Sequence, residues 1–234
     1  MTGFNPREYW DQRIESVGGH RAIGRQNLPE TANELRKIRL RSTLDEIYDE
    51  KEVEIHSADV LDAGCGNGVY SKYYADRGAD VIGIDFSEAA IKSIRERGIT
   101  GDFSVGSIDS LPQGSNTFDI VHCFSVLYHL VDDGNWADAI SELARVLRPG
   151  GVLLLRIDWI NEERDVAEHV RFRSKSKYRN LLQKAGIEVV ETYPIYDEPR
   201  LAIVSARIPQ LLSIDNFWSR NADQKLVFCR MDEE

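Results

Sequence analysis

The segment Val60-Leu61-Asp62-Ala63-Gly64-Cys65-Gly66-Asn67-Gly68 carries the strongest chemical signal in the chain. An apolar run ends in a glycine-rich turn, and glycine there permits tight turning and close approach of a ligand to the backbone. Asp85 ends a second apolar run, Asp80–Asp85 (DVIGID), 21 residues after Gly64. A carboxylate at that point can accept both hydroxyls of a ribose. The spacing is G-x-G-x-G, whereas a pyrophosphate-binding turn wants G-x-G-x-x-G and an uncluttered helix N-terminus. Asp62, inside the strand end, is unfavourable for pyrophosphate and suits a ligand carrying ammonium and sulfonium charges.

The elements that would position these residues alternate. Ala58–Ala63, Asp80–Asp85, Gly101–Gly106, Phe118–Phe124 (FDIVHCF) and Val152–Asp158 (VLLLRID) read as strands, followed by Ile187–Tyr193 and Lys225–Arg230. Between them Val69–Asp76, Glu88–Arg97 capped by Ser87, Trp136–Leu147 ended by Arg148-Pro149-Gly150-Gly151, and Lys177–Ala185 capped by Ser176 and ended by Gly186 read as helices. Pro199–Leu212 is another possible helix. Regular β/α alternation with apolar strands implies an α/β fold: a Rossmann-like, doubly wound, mostly parallel seven-stranded sheet with helices on both faces. In such a sheet ligands bind outside the carboxyl ends of the strands, so Asp62, the glycine loop, Asp85 and the end of FDIVHCF should converge on one nucleoside ligand.

Residues 1–54 read as an N-terminal helical lid belonging to the same domain as residues 55–234. Phe4–Ile14 forms a short helix with Asn5 as N-cap and Pro6 at its first position. A loop containing Gly18, Gly19, Gly24 and Asn27 follows. Glu30–Lys51 then carries Leu35, Ile38, Leu40, Leu44, Ile47 and Tyr48, most of them on one helical face.

The composition narrows the class. The chain has 234 residues, of which 42% are hydrophobic and 29% charged, and its net charge is −10. Such a balance argues against a duplex nucleic-acid binder, which neutralises phosphates with clustered Lys and Arg. The three cysteines, Cys65, Cys123 and Cys229, are odd in number and form no CxxC. No disulfide framework or zinc site is expected, nor any other metal centre. The sequence reads as lacking a signal peptide and a bilayer span, so a reducing, cytoplasmic setting is expected.

Beyond the glycine loop, the series VLDAGCGNG, VIGID, Ser107-Ile108-Asp109-Ser110-Leu111-Pro112, FDIVHCF, Val126-Leu127-Tyr128-His129-Leu130 and ELARVLRPGGVLLL occurs in order. Over about residues 58–190 it resembles the class I S-adenosylmethionine (SAM)-dependent methyltransferases, of small-molecule type. The opening Tyr9-Trp10-Asp11-Gln12-Arg13 is similar to that of small-molecule members. The resemblance implies SAM as cofactor, S-adenosylhomocysteine (SAH) as product, and a monomer or homodimer acting on a small-molecule acceptor without nucleic acid or membrane.

The resemblance also implies residue roles. Gly64 and Gly66 would lie against the methionine part of SAM, and Asp62 would reach its amino group. Asp85 would hold the ribose, and Phe86 would lie beside the adenine. Ile108 would offer its backbone N–H to the ring, and Asp109 would accept from the exocyclic amine. Phe124 would line the methionine end. Tyr9 and Arg13 would close over the cofactor, and Tyr128 and Trp159 would face the acceptor. His129 stands where a general base would act. Plainer roles exist beside these: a structural hydrogen bond for His129, core packing for Phe86, a turn for Asp109, packing on the sheet edge for Tyr9, and a surface ion pair for Arg13. Trp159 could equally cover the core. His122, inside a strand, reads as a satisfied core histidine, and Arg171, Arg173, Lys175, Lys177 and Arg179 read as a solvated helix start.

Two other activities fit the pattern less fully. One is methylation of a protein N-terminus or side chain, and the other is a SAM-binding module without turnover. A nicotinamide oxidoreductase is disfavoured by the glycine spacing and by Asp62.

Overall fold

The computed structural model describes residues 5–17, 30–195 and 224–233. Helix α1 spans Pro6–Val17, and the Asn5 side-chain oxygen accepts from the N–H groups of Arg7 and Glu8 at 3.1 and 3.3 Å. Helix α2 spans Glu30–Glu50 and buries Leu40, Leu44, Ile47 and Tyr48, while Ile38 stands on its outer face. The side chain of Leu35, the loop at Gly18–Asn27 and the possible helix at Pro199–Leu212 lie outside the described residues.

From residue 59 strands and helices alternate: β1 Asp59–Ala63, α3 Val69–Ala75, β2 Asp80–Asp85, α4 Glu88–Glu96, β3 Asp102–Val105, β4 Phe118–Phe124, α5 Asp133–Val146 and β5 Leu147–Asp158. A hairpin of β6 (Arg164–Ala167) and β7 (Val170–Phe172) follows, then α6 Lys175–Lys184, β8 Ile187–Pro194 and β9 Gln224–Met231. Seven strands form one sheet in the order β3-β2-β1-β4-β5-β9-β8. The first five and β8 run in the same direction, and β9 alone runs antiparallel, between β5 and β8. The α/β class and the mostly parallel sheet of the sequence reading are therefore observed.

The order reverses at β1, which has β2 on one side and β4 on the other, and a crevice opens there at the strand C-termini. Strand alternation divides the core. Leu61, Val121, Cys123, Leu153 and Leu155 pack with Trp136, Leu143 and Tyr178 of α5 and α6. Val60, Ile120, Phe124 and Leu154 pack on the other face with Leu40, Leu44 and Ile47 of α2 and Tyr73 and Tyr74 of α3.

Several boundaries differ from expectation for local reasons. Helix α5 begins at Asp133, not Trp136, because the Asp132 carboxylate accepts from the N–H groups of Gly134 and Asn135. Helix α6 is capped by Ser174, whose hydroxyl accepts from Lys177 N–H, not by Ser176. Arg148–Gly151 lies within β5, at an irregularity where pairing with β4 jumps from Phe118↔Leu147 to Ile120↔Val152.

The basic run is only in part a solvated helix start: Lys175 and Arg179 are exposed at the start of α6, but Arg173 is not. Arg173 is fully buried: its Nε donates to Asp133 at 2.9 Å, and Nη2 donates to the carbonyls of Val131 and Asp132 at 3.0 and 3.1 Å. Its guanidinium lies 4.5 Å from the centre of the Trp136 ring. Arg171 and Lys177 pair with Asp133 and Glu163. These contacts fasten the β6–β7 hairpin beside the end of β4.

Helix α1 is held to α4 by a shared cap. Ser87 caps α4 through Ala90 N–H, and the Asp11 carboxylate of α1 accepts from the Ser87 hydroxyl and from Ala89 N–H. A carboxylate at a helix N-terminus is favourable electrostatically as well as by hydrogen bonding. Ile14 adds an apolar contact with Ala89 and Ala90. The substitution Asp11→Ala is expected to weaken this docking by about 1 kcal/mol. Tryptic cleavage at Arg7 and Arg13 should accelerate while the urea midpoint of the sheet barely moves. Unchanged cleavage rates would show that the cap does not hold α1.

Candidate active site

A cavity of about 620 Å³ opens at the carboxyl ends of β1, β2, β4 and β5, beneath α1, α2 and the β6–β7 hairpin. The glycine loop forms one wall. Gly64 has φ +80°, and a Cβ there would stand 2.2 Å from Val126 Cγ2, so only glycine fits. The Gly64 and Cys65 N–H groups donate to the Ile84 carbonyl at 2.7 and 3.0 Å, which ties this loop to the end of β2.

Asp85 completes that junction. Its two carboxylate oxygens accept from Gly66 N–H at 2.8 Å and from Ser87 N–H at 2.9 Å. Burial raises its carboxyl to about 6; these two N–H groups oppose the rise, and the charges of Asp62 and Asp11 add to it. The side chain lines the cavity, as do Phe86, Ile108 and Asp109, which close the β2–β3 side.

Asp62 lines the cavity beneath the loop and is 2% exposed. Its Oδ2 accepts from the Ser71 hydroxyl of α3 at 2.6 Å. Its Oδ1 lies 3.0 Å from Nδ1 of His122, the residue opposite it in the β1–β4 register. A carboxylate only accepts, so Nδ1 carries the proton. His122 is thus only half satisfied, contrary to the expectation of a satisfied core histidine. Its Nε2 is buried without a hydrogen-bond partner, and its ring lines the cavity with Phe124 and Tyr70.

The opposite end of the cavity is aromatic. His129 sits in a 3-10 turn, Leu127–His129, just after β4. Its Nδ1 donates to the carbonyl of His169 in the hairpin at 2.9 Å, which leaves the lone pair on Nε2. Burial pushes His129 down to about 4; the His169 carbonyl partly opposes this, while the His169 and Arg13 side chains add to it. Trp10 lies edge-on at 5.0 Å, and Tyr128 and Phe172 stand nearby. Arg156, on β5, donates from Nε and Nη2 to the side-chain carbonyl of Gln224 at the start of β9.

The structure thus gathers Arg13, Asp62, Gly64, Gly66, Asp85, Phe86, Ile108, Asp109, Phe124, Tyr128 and His129 around one space. Two expected residues stand outside its lining. Tyr9 accepts from Arg13 Nη1 at 3.1 Å and its ring lies tilted against that of His169, 4.6 Å between centres, while the neighbouring Trp10 takes the cavity face. Trp159 follows the last residue of β5, where alternation turns it away from the cavity side occupied by Asp158. It packs 6.3 Å from Tyr178 of α6, under Arg179. Trp10, readable from sequence as either edge packing or a cofactor contact, and Arg156, expected near the acceptor pocket at the end of β5, both line the cavity, whereas Tyr70 and the unpartnered nitrogen of His122 are marked by no local pattern. Among the described residues no cluster of ligating side chains could hold a metal ion, and no helix is long and apolar enough to cross a membrane.

Comparison with known proteins agrees with this geometry. Residues 60–151 match the family described as "Methyltransferase domain". A probable S-adenosylmethionine-dependent methyltransferase of Mycolicibacterium smegmatis is 37% identical over 156 residues, covering 64% of this chain and 59% of that protein. The chain therefore spans less than two thirds of the length of that curated relative. A ubiquinone biosynthesis O-methyltransferase of Aromatoleum aromaticum is 30% identical over 168 residues, covering 62% of this chain and 70% of that protein. Among solved structures, magnesium protoporphyrin IX methyltransferase from Synechocystis, with bound SAM, superposes over 99% of this chain and 100% of its own, at TM-score 0.67 and 17% identity. The chain belongs to the SAM-dependent methyltransferases, and its fold is that of class I.

The raised carboxyl of Asp85 gives the site a pH signature. A ribose held at Asp85 would donate to the ionised form, so below about pH 6 such a ligand would first have to displace a proton. Affinity for SAH should then fall about tenfold per pH unit below that point and level off above it. Asp85→Asn should weaken binding and flatten the profile. Calorimetric titration between pH 5 and 8 would check this, and a flat wild-type profile would remove the assignment.

Proposed function

We propose that the protein transfers a methyl group from SAM to an oxygen or nitrogen of a small-molecule acceptor. The observation that carries this reading is the junction at the β1–β4 crevice: a glycine loop that admits no Cβ at Gly64, with a buried carboxylate at the end of β2. When bound, SAM supplies a methyl group already activated by its sulfonium charge.

The residues present suit that ligand. Asp85 offers lone pairs to the ribose hydroxyls. Ile108 and Asp109 meet the adenine edge and Phe86 its face. The open Gly64–Gly66 backbone and Phe124 border the methionine end, and Arg13 suits its carboxylate. The acceptor enters on the aromatic side, between α1 and the hairpin, where Trp10, Tyr128 and Phe172 exclude water and orient it. Alignment of this kind is worth up to roughly 7–11 kcal/mol. Oxygen is favoured by the O-methyltransferase activity named for the Aromatoleum relative.

His129 is the proton acceptor of this scheme. The His169 carbonyl fixes its tautomer, and its low pKa keeps it neutral throughout the physiological range. So weak a base suits an acidic acceptor hydroxyl better than an aliphatic one, since general-base efficiency depends on matching the two pKa values.

The test is calorimetry with SAM, SAH and NAD, followed by transfer of labelled methyl to phenolic, carboxylic and amine acceptors. Binding of SAM and SAH in the micromolar range, lost in Asp85→Ala, is expected. Tighter binding of NAD, or of none of the three, would overturn the reading. His129→Ala should lower turnover by about 10²–10⁴-fold with little change in SAH affinity. In the wild type the acidic limb of kcat should fall near pH 4 rather than near 6.5. Normal turnover in His129→Ala would leave this residue a structural role only.

A further inference from the structure

The Asp62–His122 pair goes beyond the contacts so far assigned to the cofactor. Asp62 is expected to reach the ligand's amino group, directly or through water. Each of its oxygens accepts one hydrogen bond within the protein, from Ser71 and from His122, and the carboxylate is 2% exposed. Its negative charge therefore also backs the imidazole. Nε2 stands in a wall of the cavity, in a side chain only 1% exposed, with no partner, and in the neutral imidazole with its proton on Nδ1 this nitrogen carries the lone pair. A buried acceptor that no protein group matches calls for a donor from the ligand.

The surroundings specify that donor's charge. Behind the ring lies a carboxylate. Around it lie Phe124, with ring centres 3.7 Å apart, and Tyr70, at 5.1 Å. Aromatic faces and an anion-backed imidazole together attract a cationic N–H group. They repel a carboxylate, for which Nε2 offers no proton.

We infer that His122 is a positioning residue whose Nε2 accepts a hydrogen bond from the α-ammonium of SAM, with Asp62 and Ser71 fixing the tautomer from behind. This rests on the cofactor reading given above. Its consequence is that the methionine arm is oriented by its ammonium end against β4, independently of the ribose at Asp85.

Four ligands and one substitution test it without any turnover. The ligands are SAH, its decarboxylated analogue (amine kept), its deaminated analogue (carboxylate kept) and 5′-methylthioadenosine, which has neither group. Calorimetry is run on the wild type and on His122→Phe, which keeps an aromatic ring and removes the acceptor. The two amine-bearing ligands should lose about tenfold or more in affinity, as expected for a hydrogen bond to a charged group. The deaminated analogue and methylthioadenosine should change by less than about twofold.

Equal loss across all four ligands would make His122 merely structural and overturn the proposal. So would loss confined to the carboxylate-bearing pair, which would mean that Nε2 donates. Failure of the wild type to bind any of the four would instead sink the cofactor reading itself. Should the variant not fold, histidine-labelled wild type serves. The 15N resonance of His122 Nε2 should shift toward a hydrogen-bonded position with SAH and with the decarboxylated analogue, and stay in place with methylthioadenosine. A resonance that ignores the amine-bearing ligands would overturn the assignment.

Discussion

A buried carboxylate that accepts two backbone N–H groups holds this molecule's working end together. Asp85 binds Gly66 on one side and Ser87 on the other, so the loop after β1 and the start of α4 are fixed to each other through one side chain. Ser87 in turn meets Asp11 of α1. One short chain of hydrogen bonds therefore runs from the glycine loop to the N-terminal helix. Bound adenosine would engage the same carboxylate, so the group that shapes the crevice is also the one expected to read the ribose.

Much of this architecture is legible in the sequence because local chemistry dictates it. The strands are short apolar runs between turn residues, Asn5-Pro6 and Ser87 announce helix starts, and Asp85 closes an unmistakable strand. The miscounted boundaries have local causes as well. Asp132 and Ser174 are caps just upstream of the residues where amphipathic periodicity becomes visible. What periodicity could not show is pairing across long separations. Arg173 looks like one of five scattered basic residues, and only the fold brings Asp133 and the carbonyls of Val131 and Asp132 around it. His122 looks apolar by position, and only the β1–β4 register sets Asp62 beside it. Trp159 was read as an acceptor residue from its place at a strand end, yet a single step of alternation turns it to α6.

The two ends of the cavity are built on different principles. The β1–β2 side uses charge: buried carboxylates at Asp62 and Asp85, neutralised in part by backbone and hydroxyl donors. The side beneath α1 and the hairpin uses rings, and the histidine there is kept uncharged by burial. An ionic, water-loving ligand part and a flat or apolar one can therefore be held in one space without either compromising the other. The division follows from topology. The carboxylates Asp62 and Asp85 stand at the ends of β1 and β2, whereas Trp10 and Phe172 come from elements before and after the run of parallel strands β1–β5.

β8 and β9 are tied to each other at the rim of the cavity. Ile195 N–H donates to the Gln224 carbonyl at 3.1 Å, and both residues line the cavity. The chain leaves the sheet and returns to it at one pinned point on the cavity rim, whatever stretch lies between. Closing a loop whose ends are already joined depends only weakly on its length, about 0.6 kcal/mol per doubling. Changes in the length of chain joining these ends would leave strand register untouched. For protein engineering this is a grafting port, where new acceptor preferences can be installed with little penalty to the scaffold.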